Sequence, residues 1–398
     1  MKRQAHSPIG VGTVTISPRA KEYIGRVVET GRISYGPFTQ RFERQFGRIH
    51  SISHAIFCNS GTSALTLALA ILKKKHGWRD GDEVLVPALT FVTSVNVILQ
   101  NNLTPVFVDV DPVYFSIHPA EIERHISKKT RAIMVVHIGG LPADMDPIMK
   151  LADTYKLTVI EDSCETMFAR YRGRSVGTFG EVSCFSTHAA HQLATGIGGF
   201  LCTDNSALAL QARSLISHGR DPRYLSIDDS KKKRTDELRK VIASRLNFPN
   251  IGFNYRATEF EAALGLAQLK NWKTMVAKRK RNAMLLSRGL KSLERVLQLP
   301  SPRPGTEHTF MFYPIIIKDP AMRRDRLVVF LEQHGIETRY LLPLLSQPIY
   351  KARFGAMEDH YPVAKYLTHH GFYIGCHQGL DRGDIDYIVG VFSQFFAH

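Results

Sequence analysis

The segment Leu157-Thr158-Val159-Ile160-Glu161-Asp162 is an apolar run of strand length that ends in two successive carboxylates. An uninterrupted apolar run, as opposed to an alternating one, is typical of a strand buried on both faces of a parallel sheet. A carboxylate in such a place is costly unless a cation or a hydrogen-bond donor pairs with it. These two carboxylates therefore either form structural ion pairs or face a ligand.

Runs of the same kind recur on both sides of this segment, separated by stretches with helical spacing. The predicted strands are residues 83–87, 105–109, 132–136, 157–160, 182–186 and 199–202. Apolar side chains at helical spacing occupy residues 63–72 and 146–155. This alternation predicts an α/β fold with a mostly parallel central sheet flanked by helices. Ligands of such sheets bind at the carboxyl ends of the strands, where Asp162 and residues 186–191 stand.

The chain divides into three predicted parts: an N-terminal arm (1–32), a large α/β domain (33–270) and a smaller C-terminal α+β domain (271–398). The large domain ends in a helix over 258–269, in which Thr258 and Glu261 have the spacing of a capping box. Within it, residues 220–249 form a basic excursion where the regular pattern is lost. In the small domain we predict a strand over 308–317 and helices over 324–334 and 385–396.

Composition excludes several classes of protein. The 398 residues carry 52 Lys and Arg against 36 Asp and Glu, a net charge of +16, which favours polyanions or anionic small molecules. No stretch approaches the ~20 apolar residues of a membrane span. No nucleic-acid-binding motif is present, so we expect neither a membrane nor a nucleic acid as partner. Because the five cysteines are scattered and the N-terminus lacks a secretory apolar region, we expect a cytoplasmic protein without disulfides.

Three further stretches combine polar residues with glycine. In Asn59-Ser60-Gly61-Thr62-Ser63-Ala64-Leu65, hydroxyls flank a glycine just before a helix, which suits either an anion site or a plain helix cap. The stretch from Cys184 to Gly199 contains Ser186, His188 and His191 and ends in Gly-Ile-Gly-Gly. In the third, Asn254-Tyr255-Arg256 precedes the predicted helix over 258–269, where a phosphate could be gripped.

A metal is the alternative that we weighed for the two histidines. His188 and His191 are three residues apart and could share one helical face. No third Cys, His or carboxylate ligand stands nearby in the sequence, so we expect no metal site.

In their order and spacing, these stretches resemble the DegT-type nucleotide-sugar aminotransferases, pyridoxal-phosphate (PLP) enzymes of fold type I. The resemblance extends from Ile33-Ser34-Tyr35-Gly36-Pro37 to Gln347-Pro348-Ile349-Tyr350 and covers nearly the whole chain. It implies the PLP-dependent transferase fold type I and a homodimer with shared active sites.

The resemblance also implies roles for individual residues. Gly61, Thr62, Ser63 and Ser186 match residues that bind the cofactor phosphate. Phe91 matches the aromatic that stacks on the pyridine ring, and Asp162 matches the aspartate that pairs with the pyridinium nitrogen. Asn254 matches an asparagine that reaches the cofactor phosphate of the neighbouring subunit. Glu165 stands where the aminotransferases tend to have a cofactor-side glutamine.

The sequence departs from the aminotransferase pattern at His191, which takes the place of the lysine that binds the cofactor covalently, and at Ile197, which replaces a glutamate. A histidine at this place is similar to a small branch of PLP-dependent sugar 3-dehydratases, above all GDP-4-keto-6-deoxymannose 3-dehydratase. Imidazole cannot hold the cofactor as lysine does, but it can take or give a proton near neutral pH. Glu165 and Cys164 agree with the branch.

This resemblance predicts a 3-dehydratase that uses PLP and pyridoxamine phosphate (PMP) on a nucleotide-linked 4-keto-6-deoxy sugar, with His191 as the acid and base. We expect glutamate as amino donor and no iron–sulfur cluster, because the cysteines are not clustered. Candidate substrate residues are His188, His218, Arg220 and Arg339. The alternatives are an unusual PLP-dependent sugar aminotransferase or deoxygenase, and a catalytically silent homologue that binds sugar or cofactor.

Overall fold

The computed structural model describes residues 8–225, 229, 231 and 233–397. Its strands are β1 (His54–Cys58), β2 (Glu83–Pro87), β3 (Thr104–Val108), β4 (Thr130–Val136), β5 (Thr158–Asp162), β6 (Arg170–Tyr171), β7 (Arg174–Ser175), β8 (Val182–Ser186), β9 (Gly199–Thr203), β10 (Leu297–Gln298), β11 (Thr306–Glu307), β12 (Tyr313–Ile317), β13 (Thr338–Tyr340) and β14 (Gly371–Ile374).

The α-helices alternate with these strands along the chain. They are α1 (Pro18–Thr30), α2 (Pro37–His50), α3 (Gly61–His76), α4 (Val92–Gln100), α5 (Pro119–Ile122), α6 (Met145–Tyr155), α7 (Ser206–Leu215), α8 (Thr235–Ser244), α9 (Glu259–Leu269), α10 (Trp272–Gly289), α11 (Arg324–Gln333), α12 (Pro348–Phe354), α13 (Pro362–His370) and α14 (Arg382–Phe396).

A seven-stranded sheet, in the order β1-β9-β8-β5-β4-β2-β3, confirms the predicted mostly parallel centre. The five strands from β8 to β3 run parallel, and β1 runs in the same direction. Of the seven strands only β9, which lies between β8 and β1, is antiparallel to its neighbours. All five residues of β8 and of β9 are buried, as expected for strands covered on both faces. The carboxyl ends of β5 and β8 therefore meet at one edge of the sheet.

Helix α3 crosses this sheet against β8 and β9 and begins at that same edge. Ser60 caps it, because its side chain accepts the backbone N–H of Ser63. The opposite end carries four basic residues, 73–76, where the helix dipole favours cations, and Gly77 ends the helix with a φ of 64°.

A second, antiparallel sheet, β10-β12-β14-β13, packs with α10, α11 and α14 around its own apolar core. A small third sheet, β11-β6-β7, joins the two parts of the chain. The boundary predicted at residue 270 stays a prediction, and the two larger sheets lie on either side of it.

The strand predicted over 308–317 is wrong in its first half. Only Tyr313–Ile317 is extended, whereas the backbone N–H groups of Thr309 and Met311 donate to Gly140 O and Gly139 O of the large sheet's loops. Phe310 has a φ of 49°, which interrupts any strand at that point. Residues 308–312 thus tie the second sheet to the edge of the first.

The basic excursion (220–249) and the N-terminal arm (1–32) contain regular structure that the sequence did not predict. Residues 235–244 form α8, although the sequence predicted no helix there. Of the N-terminal arm, residues 1–7 lie outside the described part; Ile9 pairs with Ile336 of the C-terminal half, and α1 packs on α9. Within the described residues, no helix has both the length and the apolar character needed to cross a lipid bilayer.

Candidate active site

Gly61 is the point where three of the sequence motifs meet. A Cβ atom on this residue would lie 2.8 Å from Cys164 Sγ and 2.8 Å from Ser186 Cβ, so a side chain cannot be accommodated without movement of its neighbours. Because Gly61 is also the first residue of α3, the positive end of the helix dipole is directed to the ends of β5 and β8. The predicted neighbours Thr62 and Ser63 occupy the same turn, where the Ser63 hydroxyl bonds to Ser60.

Asp162 is 5% exposed and is held from two sides. Ser94 Oγ donates to its Oδ2 at 2.8 Å, and the Cys164 backbone N–H donates to its Oδ1 at 3.2 Å. Burial raises the pKa of this carboxyl, and these hydrogen bonds oppose the rise. No Lys, Arg or His among the described residues forms an ion pair with Asp162, so its carboxylate fits a cationic ring nitrogen.

Of the two adjacent carboxylates, Glu161 is the one that forms a structural ion pair. It pairs with His137 Nε2 at 3.1 Å and accepts the backbone N–H groups of Gly177, Phe179 and Gly180. Successive side chains of a strand point to opposite faces, so two adjacent carboxylates serve different ends. Glu161 fixes a loop under the sheet, and Asp162 faces the other side.

His188 and His191 lie in the connection between β8 and β9, in a turn and not on a helix, so the shared helical face considered from the sequence is wrong. The backbone N–H of His188 donates to Ser186 Oγ at 3.3 Å, and that of His191 to His188 O at 2.9 Å. The two rings are 5.7 Å apart and nearly perpendicular.

The His191 imidazole is half-buried, and its Nδ1 has no hydrogen-bond partner among the described residues. Burial lowers its pKa to about 3, and the neighbouring His188 and Arg279 contribute further. The free protein therefore holds this imidazole neutral, with a lone pair available to accept a proton.

Glu165 follows Asp162 on the loop after β5. Its Oε2 accepts the backbone N–H of Gly139 at 3.2 Å, while burial and the Asp162 charge raise the pKa of its carboxyl to about 7. This side chain is thus partly protonated at neutral pH and can donate a hydrogen bond as well as accept one.

Phe91 stands at the entrance of α4 and is 58% exposed, which leaves its ring free to stack on a planar ligand. Two residues further along, α4 supplies Thr93, whose hydroxyl lies 3.2 Å from that of Thr62. The sequence analysis missed Thr93 and Ser94. Their signal is the hydroxyl-rich segment after β2, at the same sheet edge as the other motifs.

The stretch Asn254-Tyr255-Arg256 lies beside the stretch from Asn59 to Leu65, since the Asn59 N–H donates to Tyr255 O at 2.8 Å. Asn254 is exposed, and its Oδ1 accepts from the Arg256 guanidinium. Arg256 Nη2 also lies 3.4 Å from His218 Nε2. His218 is thus close to Asn254, as a shared ligand would require, and Arg220 follows it by two residues.

Arg339 lies apart from this group. It is on β13, pairs with Glu337, and is opposite Tyr373 in the second sheet. No group of three or more His, Cys, Asp and Glu in the described part of the chain is arranged to hold a metal ion. The five cysteines are free thiols.

The comparisons with known proteins agree with this arrangement. GDP-4-keto-6-deoxy-D-mannose-3-dehydratase of Escherichia coli, solved with bound hydrated PLP, superposes with a TM-score of 0.85 and 25% identity over 97% of this chain and 100% of that one. The fold is therefore that of the PLP-dependent aminotransferase class. The chain belongs to the DegT/DnrJ/EryC1/StrS aminotransferase family, whose model matches residues 15–393.

Relatives with different activities occur at similar identity. GDP-perosamine synthase of Caulobacter vibrioides is 33% identical over 97% of this chain and 98% of that protein. dTDP-4-dehydro-2,6-dideoxy-D-glucose 3-dehydratase of Saccharopolyspora spinosa is 34% identical over 92% of this chain and 82% of that protein. Overall similarity thus supports a PLP-dependent enzyme of nucleotide-sugar metabolism and does not choose between transamination and dehydration.

Proposed function

We propose that this protein is a PLP/PMP-dependent nucleotide-sugar 3-dehydratase that removes the C3 hydroxyl of a 4-keto-6-deoxy sugar nucleotide. The observation that carries the proposal is His191, a neutral, half-buried imidazole in the turn after β8 where the family pattern has lysine. Lys156, the lysine nearest to the motif on its N-terminal side, precedes β5 and so lies at the opposite edge of the sheet. It cannot replace the missing amino group.

The residues at the site fit the cofactor. Gly61 and Ser186 form a cradle that a Cβ would fill, at a helix N-terminus suited to a phosphate. Asp162 would hold the protonated ring nitrogen, and the exposed Phe91 would cover the ring face. When bound, PMP supplies the amino group that combines with the sugar's keto group, together with a protonated ring that withdraws electrons.

His191 would move the proton. Its Nδ1 is buried, so Nε2 is the atom that a substrate reaches. A neutral Nε2 accepts a proton, and the same proton is then given to the departing C3 hydroxyl, which leaves as water. Bound phosphate charges raise the pKa of a nearby imidazole and strengthen it as a base.

The balance of the reaction requires a reductant, because loss of the C3 oxygen is a two-electron reduction of the sugar. Glutamate would supply these electrons as amino donor and leave as its keto acid, while the nitrogen is released as ammonia. No iron–sulfur cluster is then needed. Phe91, Ile197 and Asn254 are exposed in the single chain, which supports a homodimer in which the neighbouring subunit completes the site.

The test is a reaction of the recombinant protein with PLP, glutamate and 4-keto-6-deoxy sugar nucleotides, GDP-linked sugars first. We expect release of ammonia, a product lighter than the substrate by one oxygen atom, and no lysine adduct after borohydride reduction. His191→Asn should lower turnover by at least about 100-fold while retaining PLP, and the exposed control His360→Asn should not.

A borohydride-trapped lysine adduct would contradict the proposal. The 33% identity to GDP-perosamine synthase favours one competing function, transamination of the same substrate class. That reaction keeps the C3 oxygen and adds nitrogen, so the product mass separates the two. A protein that binds cofactor and sugar without any product would instead be a silent homologue.

A further inference from the structure

The two ends of the excursion that the structure describes, residues 220–225 and 233–249, meet at its base and bring distant arginines together. The Asp221 N–H donates to Asn247 O at 2.9 Å, and the Asn250 N–H donates to Gly219 O. Gly219 has a φ of 81°, and a Cβ on it would collide with Asn250 O, so the neck closes only around a glycine. Arg220, at the start of the excursion, and Arg245, near its end, therefore lie on the same side.

The two arginines share one aromatic ring. The Arg220 and Arg245 guanidinium carbons each lie 5.6 Å from the centre of the Tyr224 ring, and Arg220 also lies 5.4 Å from that of Phe248. In both arginines the Nε–H is buried and has no acceptor in the described part of the chain. A buried donor without an acceptor is unfavourable, and a bound anion would supply the missing acceptor.

Arg256 extends this group toward the site. Its Nη2 lies 3.4 Å from Nε2 of His218, two residues before Arg220, and partial burial together with the charge of Arg220 lowers the pKa of Arg256. The adjacent carboxylate, Asp221, is already engaged by Arg223 at 2.7 Å. Among the described residues, none of Arg220, Arg245 and Arg256 forms an ion pair with a carboxylate.

We propose that Arg220, Arg245 and Arg256 bind the diphosphate of the nucleotide sugar, so that the excursion is a substrate-binding element of this chain. Guanidinium groups match phosphate oxygens in pairs, and three of them suit a ligand with two phosphates. The identity of the ligand rests on the proposed function. The cofactor carries a single phosphate, which the cradle at Gly61 and Ser186 accommodates separately.

The experiment measures binding without turnover. The full-length protein is titrated calorimetrically with GDP, UDP, dTDP and CDP, and in a separate arm with PLP, followed by its absorbance. Arg245→Gln and Arg220→Gln should each weaken the best nucleoside diphosphate about tenfold and leave PLP binding within twofold. Arg245→Lys keeps the charge and should recover part of the loss.

Arg239→Gln is the matched control, because it removes the same charge from an exposed position on α8, the helix that ends just before Arg245. It should bind all ligands as the wild type does. Nucleoside diphosphate binding that is unchanged in both Arg245→Gln and Arg220→Gln would overturn the proposal. So would a loss confined to PLP, which would assign the arginines to the cofactor phosphate, and a wild type that binds none of the four nucleotides.

This outcome is separable from that of the proposed reaction. If the wild type binds a nucleoside diphosphate through Arg245 but converts no 4-keto sugar, the excursion remains a nucleotide-binding element and the dehydratase proposal fails. If the sugar is dehydrated while the arginine variants bind nucleoside diphosphates as the wild type does, the dehydratase proposal stands and the arginine site fails.

Discussion

Glu165 shows how one residue's surroundings set its protonation. Its carboxyl is enclosed beside the Asp162 charge and, among the residues that the structure describes, receives the backbone N–H of Gly139 alone. The resulting rise in pKa from 4.5 to about 7 means that the folded protein binds this proton more tightly than the unfolded chain does. Ionised Glu165 therefore destabilises the free protein.

This predicts a pH-dependent difference between the wild type and Glu165→Gln. The folded state holds the Glu165 proton more tightly than the unfolded state, so this site stabilises the wild type at low pH. As the pH rises from 5 to 8 and the proton is lost, the free energy of unfolding falls by about 2 to 3 kcal/mol. Glu165→Gln lacks this loss. Urea unfolding of the cofactor-free protein at several pH values measures it.

The control for this prediction is Glu307→Gln, which changes an exposed carboxylate 3.9 Å from Lys280. Its stability should follow the wild type across the pH range. If Glu165→Gln also followed the wild type, the carboxyl of Glu165 would not titrate near neutrality.

At the scale of elements, the N-termini of α2 and α3 differ in what pairs with their free backbone N–H groups. The first turn of α2 is closed by Glu259, a buried carboxylate that accepts the backbone N–H groups of Gly36, Phe38 and Thr39 at 2.8 to 3.0 Å. Helix α3 has no acidic residue in its first turn, and its start lies in the Gly61 cradle. Glu259 thus neutralises the positive end of the α2 dipole, whereas the positive end of the α3 dipole suits an anionic ligand.

Glu259→Gln should destabilise the protein by about 3 kcal/mol. The change removes the charge that faces the α2 dipole and turns an acceptor oxygen into an N–H₂ group directed at backbone donors. The midpoint of urea unfolding measures the loss. Glu22→Gln, in an exposed pair with Arg26 on α1, serves as control and should change stability by less than about 0.5 kcal/mol. A similar small effect for Glu259→Gln would show that the buried contacts are replaced by water.

At the scale of the whole molecule, several histidines are held neutral in the folded protein. Burial lowers the pKa of His50 and His377 to about 4 and that of His308 and His191 to about 3. His50, for example, is stacked between Phe46 and Phe168 and accepts the Phe168 N–H at Nε2. In the unfolded chain each histidine takes up a proton near pH 6.5.

We therefore expect acid to destabilise the protein. Each histidine makes its whole contribution to the free energy of unfolding above pH 6.5. This contribution is lost as the pH falls toward 4, and at pH 5 the loss is about 2 kcal/mol per histidine. Four histidines outweigh the opposite trend of Glu165, so the free energy of unfolding should fall between pH 7.5 and pH 5. His50→Gln should lessen that fall by about 2 kcal/mol, and the exposed control His360→Gln should leave it unchanged. Equal falls in both variants would contradict the assignment.

Local patterns determined much of this protein. Uninterrupted apolar runs located the parallel strands, because a strand buried on both faces needs apolar residues throughout, and the Thr258 and Glu261 spacing located the start of α9 with its capping box. The order of the motifs identified the family. The positions of Asp162 and Ser186 at one edge followed from the rule that parallel strands end together, whereas β1 was not predicted and only the structure brought Gly61 to that edge.

Only the tertiary structure separated Glu161 from Asp162, since both end the same strand and their roles depend on His137 and Ser94 from other strands and helices. It alone placed Arg220 and Arg245 around Tyr224, and showed that residues 308–312 bond to the loops of the first sheet instead of extending β12. These outcomes depend on contacts between residues far apart in the chain. Periodicity records the needs of one segment, whereas burial, hydrogen-bond partners and charge neighbours are set by which segments meet.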